Sequence, residues 1–413
     1  MTKYFNVFTL KIAILIIFFL VLEWRWQLEL LGINVPNPYY LTAVLAALLC
    51  AGKIIICPVQ KHRFSTLSLV IILLMVYEFA IFLINVPELL KIDSSYVVIN
   101  FGVWTINFAL YFIALDTRIW NSILRYKIVI LFAYITLAVA PVVLLFCLGN
   151  ASEANYNLRN LVFVLKITNK SHGVSYQSFG MKIAVLSFLA LSVFPKIRSK
   201  FIIFCTTILS LYVVGSKASL VGFLFAITSY VFLSMYHQKD FYKMYLLSMF
   251  LCFLLICGVV YIVNRPDLQK SENWIVQSFA KGNEDQSMQS RKELAKINAP
   301  LHCSMFFLGD YAFDVKLGRP GTRTHSVLGN FEYYGVIYFL LFVGLWLYIL
   351  YKLIAFRGDR IVLIDFTMLS ILFFSPLICI AYTGTGYLNY FIFGCAVTAI
   401  DSMNCNLTIR KRK

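Results

Sequence analysis

Charge is scarce in this chain. Only 13% of its 413 residues are Asp, Glu, Lys or Arg, and the acids are the rarer kind, 19 against 36 Lys and Arg. With 61% hydrophobic and 16% aromatic residues and a mean hydropathy of +0.80, there is too little polar side chain to cover one or two soluble domains. Internal repeats, low-complexity tracts and heptads are missing as well, so solenoids and coiled coils drop out. None of the 10 cysteines shows CxxC spacing, which leaves a thiolate metal site without a framework. Cys50, Cys205, Cys252, Cys257, Cys379 and Cys395 fall inside apolar runs as small hydrophobes, and Cys303 has no disulfide partner in its own polar segment. Outside RKRK at 410–413 there is no block of basic residues. The formal net charge of +17 is dispersed among the ends of apolar runs, which fits membrane topology and excludes a nucleic-acid surface.

What the chain has is apolar runs. A hydrocarbon core of ~30 Å takes about 20 apolar residues in a helix, and such runs recur throughout. About twelve are expected to span a membrane, near 11–22, 40–57, 67–86, 95–115, 127–148, 181–194, 201–214, 218–235, 244–263, 334–351, 361–381 and 386–400. The first follows Lys3 and Lys11 but leads into bulky EWRWQLEL, not a small-residue cleavage site, so it is expected to stay as a spanning helix. The fold class is therefore an all-α polytopic integral membrane protein. Residues 1–263 hold helices one to nine, 264–332 a large loop, and 333–413 helices ten to twelve with a basic tail.

Lysine and arginine in short loops are retained on the cytoplasmic side. Basic residues fall in alternate loops: KHR at 61–63, then Arg118, Arg125 and Lys127, then PKIRSK at 195–200, Lys239 with Lys243, Lys352 with Arg357 and Arg360, and RKRK at 410–413. This predicts that both termini are cytoplasmic and that the 264–332 loop is external. The external segment at 149–181 departs from the rule, with Arg159, Lys166 and Lys170 against Glu153; it marks either a miscounted helix or an anionic site facing lipid.

A loop of about 70 residues is long for a mere connection, and its chemistry is uneven. GNEDQSMQS reads as a helix start, followed by Leu294 and Ile297 at helical spacing until Pro300, so Arg291 is expected on a short surface helix. From Val315 to Ser326 the cations Lys316, Arg319, Arg323 and His325 occur with no acid among them, on the side expected to be poor in cations, and an anion is the natural partner. The glycines and proline of GRPG set a tight turn before TRTH, which brings Arg323 and His325 to the start of the next helix. A helix N-terminus favours anions and keeps a histidine neutral, so His325 suits a general base and the guanidinium groups suit an anion clamp. Interfacial cations also contact phospholipid head groups, and a histidine at a helix start also serves as a cap. Glu332 is placed to orient His325 or to complement the helix dipole. In VVGSKASLVGF, Lys217 interrupts apolar sequence at an external turn and either joins the same site or snorkels to water. Glu78, Asp365 and YTGTGYLNY at 382–390 are weaker polar intrusions.

GSKASLVGF, SRKELAKINAPLHCSMFFLGDY and THSVLGNFEYYGVIYFLLFVG, in that order, resemble the O-antigen polymerase and O-antigen ligase superfamily, polytopic bacterial inner-membrane glycosyltransferases with a large periplasmic loop between late helices. The resemblance implies a GT-C-like arrangement with that loop before helix ten. It also implies a donor glycan linked to undecaprenyl diphosphate, transferred to a sugar hydroxyl on the periplasmic side without metal, nucleotide sugar or other cofactor. It would give Arg291 and Arg323 the leaving diphosphate, with Arg319 and Lys217 as further diphosphate contacts, His325 the acceptor proton, and Glu332 an orienting role. Lys217 stands where the family usually has arginine, and keeps the charge without the bidentate geometry. Membrane lipid and a chain-length regulator protein are the further partners implied. A polymerase, which extends another lipid-linked repeat, is favoured over a ligase, which transfers polymer to lipid A core, because THSVLGNFEYYG lacks the second histidine of many ligases. A polysaccharide-lipid transporter and a membrane scaffold are alternatives of other classes; the transporter is disfavoured by the lack of internal repeats and of broken helices expected at the midplane.

Overall fold

The computed structural model of the protein describes residues 11–12, 14–16, 65–92, 94–147, 176–240, 242–243, 246–249, 293, 296, 306–316, 326–355, 362–380 and 387–411. Among them there is no strand. In chain order the helices are α1 (Thr66–Ile92), α2 (Ser94–Ala114), α3 (Thr117–Arg125), α4 (Lys127–Cys147), α5 (Tyr176–Val193), α6 (Ile197–Val214), α7 (Lys217–His237), α8 (Phe313–Lys316), α9 (Leu328–Ala355), α10 (Val362–Ile380) and α11 (Tyr387–Lys411). They track the apolar runs because a chain in hydrocarbon must satisfy its backbone internally, which a helix does within one segment. Six of the described helices are long and apolar enough to cross a membrane, or seven if α3 and α4 form one bent span. The protein is thus a multi-pass membrane protein, and the only regular structure among its described residues is helix. The run at 40–57 lies outside the described residues, that at 244–263 is described only at 246–249, and that at 11–22 is helical where it is described.

Two boundaries differ from expectation. The stretch around Arg118 and Arg125, expected as a loop, is the helix α3, bent 82° from α4. Asp116 caps it, accepting from the Arg118 backbone N–H at 3.1 Å, and Ile119 and Trp120 bury its inner side. The Asp116 carboxylate also takes the Lys11 ammonium at 2.6 Å and the Arg118 guanidinium at 3.0 Å. The helix of the tenth run begins at Leu328, inside the segment expected to be loop. It starts early because Ser326 supplies a cap, its hydroxyl oxygen accepting from the Leu328 N–H at 3.3 Å.

Polar groups point inward and apolar ones outward, the arrangement expected in lipid. Tyr134 on α4 donates to the Ile203 carbonyl of α6 at 2.9 Å, and Thr207 donates to Ser187 of α5 at 2.8 Å. Ser210 donates to the Ala138 carbonyl at 2.6 Å. Meanwhile Leu73, Ile128, Ile202 and Leu340 are exposed along the outer faces. α10 occupies the middle, packed against α5, α7, α9 and α11. Phe188 of α5, Phe223 of α7 and Phe373 of α10 meet there, with ring centroids 5.3 and 5.5 Å from Phe188. On the other side α11 runs parallel to α2, with Gly394 admitting the Ala114 methyl and Thr398 donating to the Ala114 carbonyl at 3.1 Å. The chain alternates direction, so the ends carrying Arg118, Arg125, Lys127, Lys196, Arg198, Lys200, Lys239, Lys243 and Lys352 share one end of the bundle. The starts of α7 and α9 lie at the opposite end.

Candidate functional site

The start of α9 is built by two interactions. Ser326 caps the helix, and the Val327 N–H donates to the Ile378 carbonyl at 2.6 Å. That carbonyl belongs to the last turn of α10, where helical acceptors lack intrahelical donors. Seven residues into α9, Gly335 breaks the helix with φ 78 and ψ 179. Such backbone is open only to glycine, and it frees groups that a continuous helix would pair. A turn from the preceding segment supplies partners. The Val336 N–H donates to the Phe306 carbonyl at 2.8 Å, and the Asp310 N–H donates to the Glu332 carbonyl at 2.8 Å. The Tyr77 hydroxyl of α1 donates to the Tyr334 carbonyl at 3.0 Å. The turn fits because both chains present glycine: a Cβ at Gly335 would lie 2.0 Å from the Phe307 oxygen, and one at Gly309 (φ +67) 2.3 Å from the Tyr333 carbonyl carbon.

The start of α7 comes to the same level. Gly215 ends α6 in the left-handed conformation, and Ser216 then donates to the Ser219 hydroxyl at 2.7 Å. Gly180 on α5 presses against this corner, where an added Cβ would stand 2.7 Å from the Ser216 Cβ. Two contacts fix the antiparallel register of α7 and α10: Tyr230 donates to Asp365 at 2.6 Å, and Gly222 abuts Phe373. From Gly222 back to Lys217, and from Phe373 on to Ile378, is the same number of residues, about 7.5 Å of helix rise. Lys217, partly exposed as the first residue of α7, is therefore level with Ile378 and with the Val327 bound to it.

Of the residues singled out from the sequence, Lys217 and Glu332 are described, at the start of α7 and in the buried first turns of α9. Arg291, Arg319, Arg323 and His325 lie outside the described residues, although Glu293 and Lys296 beyond Arg291 are helical. Val327, two residues after His325, is tied to α10 at the level of Lys217, and Ser326 between them caps α9. Lys316 is not a free cation of the acid-free stretch: Asp310 folds back onto it, with oxygens 2.9 and 3.1 Å from the ammonium. Asp365 takes the Tyr230 hydroxyl. Glu78 is buried, and both Tyr338 of α9 and Tyr390 of α11 donate to its Oε1.

Sequence reasoning passed over two groups. Lys182, 2% exposed, sits inside α5, and an ionisable residue within an apolar run was the available signal. It is two residues from Gly180, about 200° round the helix, so it leaves α5 on the side away from Ser216. Asn330, buried in the first turns of α9, has neither amide atom hydrogen-bonded within the described structure. No protein-family model matches the chain, and no curated protein matches it in sequence.

Proposed function

We propose that the protein is an O-antigen polymerase, a metal-independent membrane glycosyltransferase that joins undecaprenyl-diphosphate-linked repeat units on the periplasmic face of the bacterial inner membrane. The observation that carries this reading is that Lys217 and the Ser326–Val327 start of α9 lie at one end of the bundle, level with the last turn of α10. That end lies opposite the one bearing the arginines and lysines of the short loops, and the retention of such residues in the cytoplasm supports reading it as periplasmic. The order of the three motifs that resemble the superfamily supports the same reading.

In this scheme His325, one residue before the capping Ser326, takes the proton of the acceptor hydroxyl. The hydroxyl oxygen attacks the anomeric carbon of the donor glycan. The bond from that carbon to the diphosphate oxygen breaks, and its electron pair leaves with the lipid diphosphate. Arg291 and Arg323 neutralise the leaving charge, Arg319 and Lys217 add further positive charge, and Glu332 orients the base.

The test is a lipopolysaccharide ladder from a strain whose long chains depend on this protein. His325→Ala or Arg323→Ala, inserted at normal level, is expected to abolish the ladder; normal long chains would refute the assignment. The deletion strain separates the reactions. Core carrying a single repeat unit identifies a polymerase, whereas bare core with accumulated lipid-linked polymer identifies a ligase.

A further inference from the structure

The turn that fills the break in α9 carries Phe306, Phe307 and Leu308 with their side chains turned outward. They are 46%, 68% and 57% exposed although their backbone is clamped between Gly309 and Gly335. Three consecutive large apolar residues held open on a rigid turn call for a covering partner. Their surroundings say which. The turn is hydrogen-bonded at Val336, the first residue after the break, and next to it the helix exposes Ile337, Leu340 and Leu341. Phe306 packs edge-on against Phe331, and Phe331 against Phe339, with centroids 6.0 and 6.4 Å apart. The outward face of the turn and the outward face of the spanning helix are one continuous apolar surface.

We infer that Phe306–Leu308 is a re-entrant hook seated in the hydrocarbon of the bilayer, so that α9 and the turn before it enter the membrane together. Non-helical backbone at that depth is tolerated only where its polar groups are satisfied by protein. Here the Phe306 carbonyl accepts the Val336 N–H and the Asp310 N–H donates to the Glu332 carbonyl, so the polar groups at the two ends of the hook turn toward the helix. This inference does not depend on the reaction proposed above.

A photoreactive benzoyl-phenylalanine at position 307 of the full chain, in vesicles of phosphatidylethanolamine and phosphatidylglycerol, tests it. Illumination is expected to add the mass of one phospholipid, as it should at Leu340 on the open face of α9 and should not at the buried Phe313. A dimer band at 307 would overturn the inference in favour of a second copy of the chain. An adduct formed only when a polyprenyl phosphate is added would overturn it in favour of a groove for that tail. No adduct at 307 while 340 reacts would place the turn outside hydrocarbon. If the 307 variant does not fold, the probe at Leu308 reads the same outcomes.

Discussion

Gly335→Ala tests the break in α9 directly. With φ 78 and ψ 179, Gly335 occupies backbone that costs a residue with a Cβ about 1–3 kcal/mol. The new methyl would lie 2.0 Å from the Phe307 carbonyl oxygen, so the turn must retreat. Retreat lengthens the bond from Val336 N–H to the Phe306 carbonyl, worth about 1 kcal/mol. The expected loss is about 2–4 kcal/mol. Alanine's helical advantage of about 1 kcal/mol is recovered only if α9 straightens, which expels the turn. Gly344 on the same helix is the matched control, since an added Cβ meets nothing within 4 Å there. Gly344→Ala should leave stability unchanged or raise it by up to about 1 kcal/mol. Equilibrium unfolding of both variants in mixed micelles with a denaturing detergent reads the difference. If Gly335→Ala proves as stable as Gly344→Ala, the clamped break is not how the helix is held.

Three other outcomes follow from the described side chains. Glu78→Leu leaves the buried Tyr338 and Tyr390 hydroxyls without an acceptor, each costing about 1–3 kcal/mol, whereas Glu78→Gln keeps an acceptor oxygen; equal thermal stability of the two variants would contradict a structural role for the carboxyl. Burial raises the Asp116 carboxyl, but its bonds from Arg118 and Lys11 outweigh that and hold it below the ordinary value. Its stabilisation is therefore full above the unfolded value near pH ~4 and is lost as pH falls through the lower folded value, so thermal melts in acid should show a decline that Asp116→Asn removes. Within the proposed reaction, Lys217→Ala should shorten or abolish the lipopolysaccharide ladder while Lys217→Arg retains it, and a full ladder from the alanine variant would remove Lys217 from the site.

Much of the fold was legible because hydrocarbon forces apolar runs into helices. Helices near 66–92, 94–114, 127–147 and 362–380 match runs visible in the sequence within a few residues. α3 was hidden because its arginines were read for topology, and Asp116 shows its value as a cap only once Thr117–Arg125 is taken as helical. Gly335 was legible as a glycine at a helix start. Its meaning depends on Phe306–Asp310, a partner far back in the chain. Lys316 looked unopposed because Asp310 lies just outside the acid-free stretch and returns to it through a turn. Glu78 read in the sequence only as a weak polar intrusion. It met two tyrosines, which in a run of aromatic residues look like any other apolar position. The Lys217 level also needed three dimensions: only the register of α7 on α10 puts it at the height of Val327.

The bond from Val327 to Ile378 sets an order of manufacture. A chain emerges N-terminus first, and the carbonyl that holds the start of α9 belongs to the last turn of α10, made well after α9 itself. A nascent chain that has threaded α9 but not yet α10 lacks the anchor for the residues that follow His325. The start of α9 is thus fixed late, when most of the described spanning helices are already in place. A truncation just before α10 should yield a protein that inserts and stays in the membrane with the start of α9 unanchored.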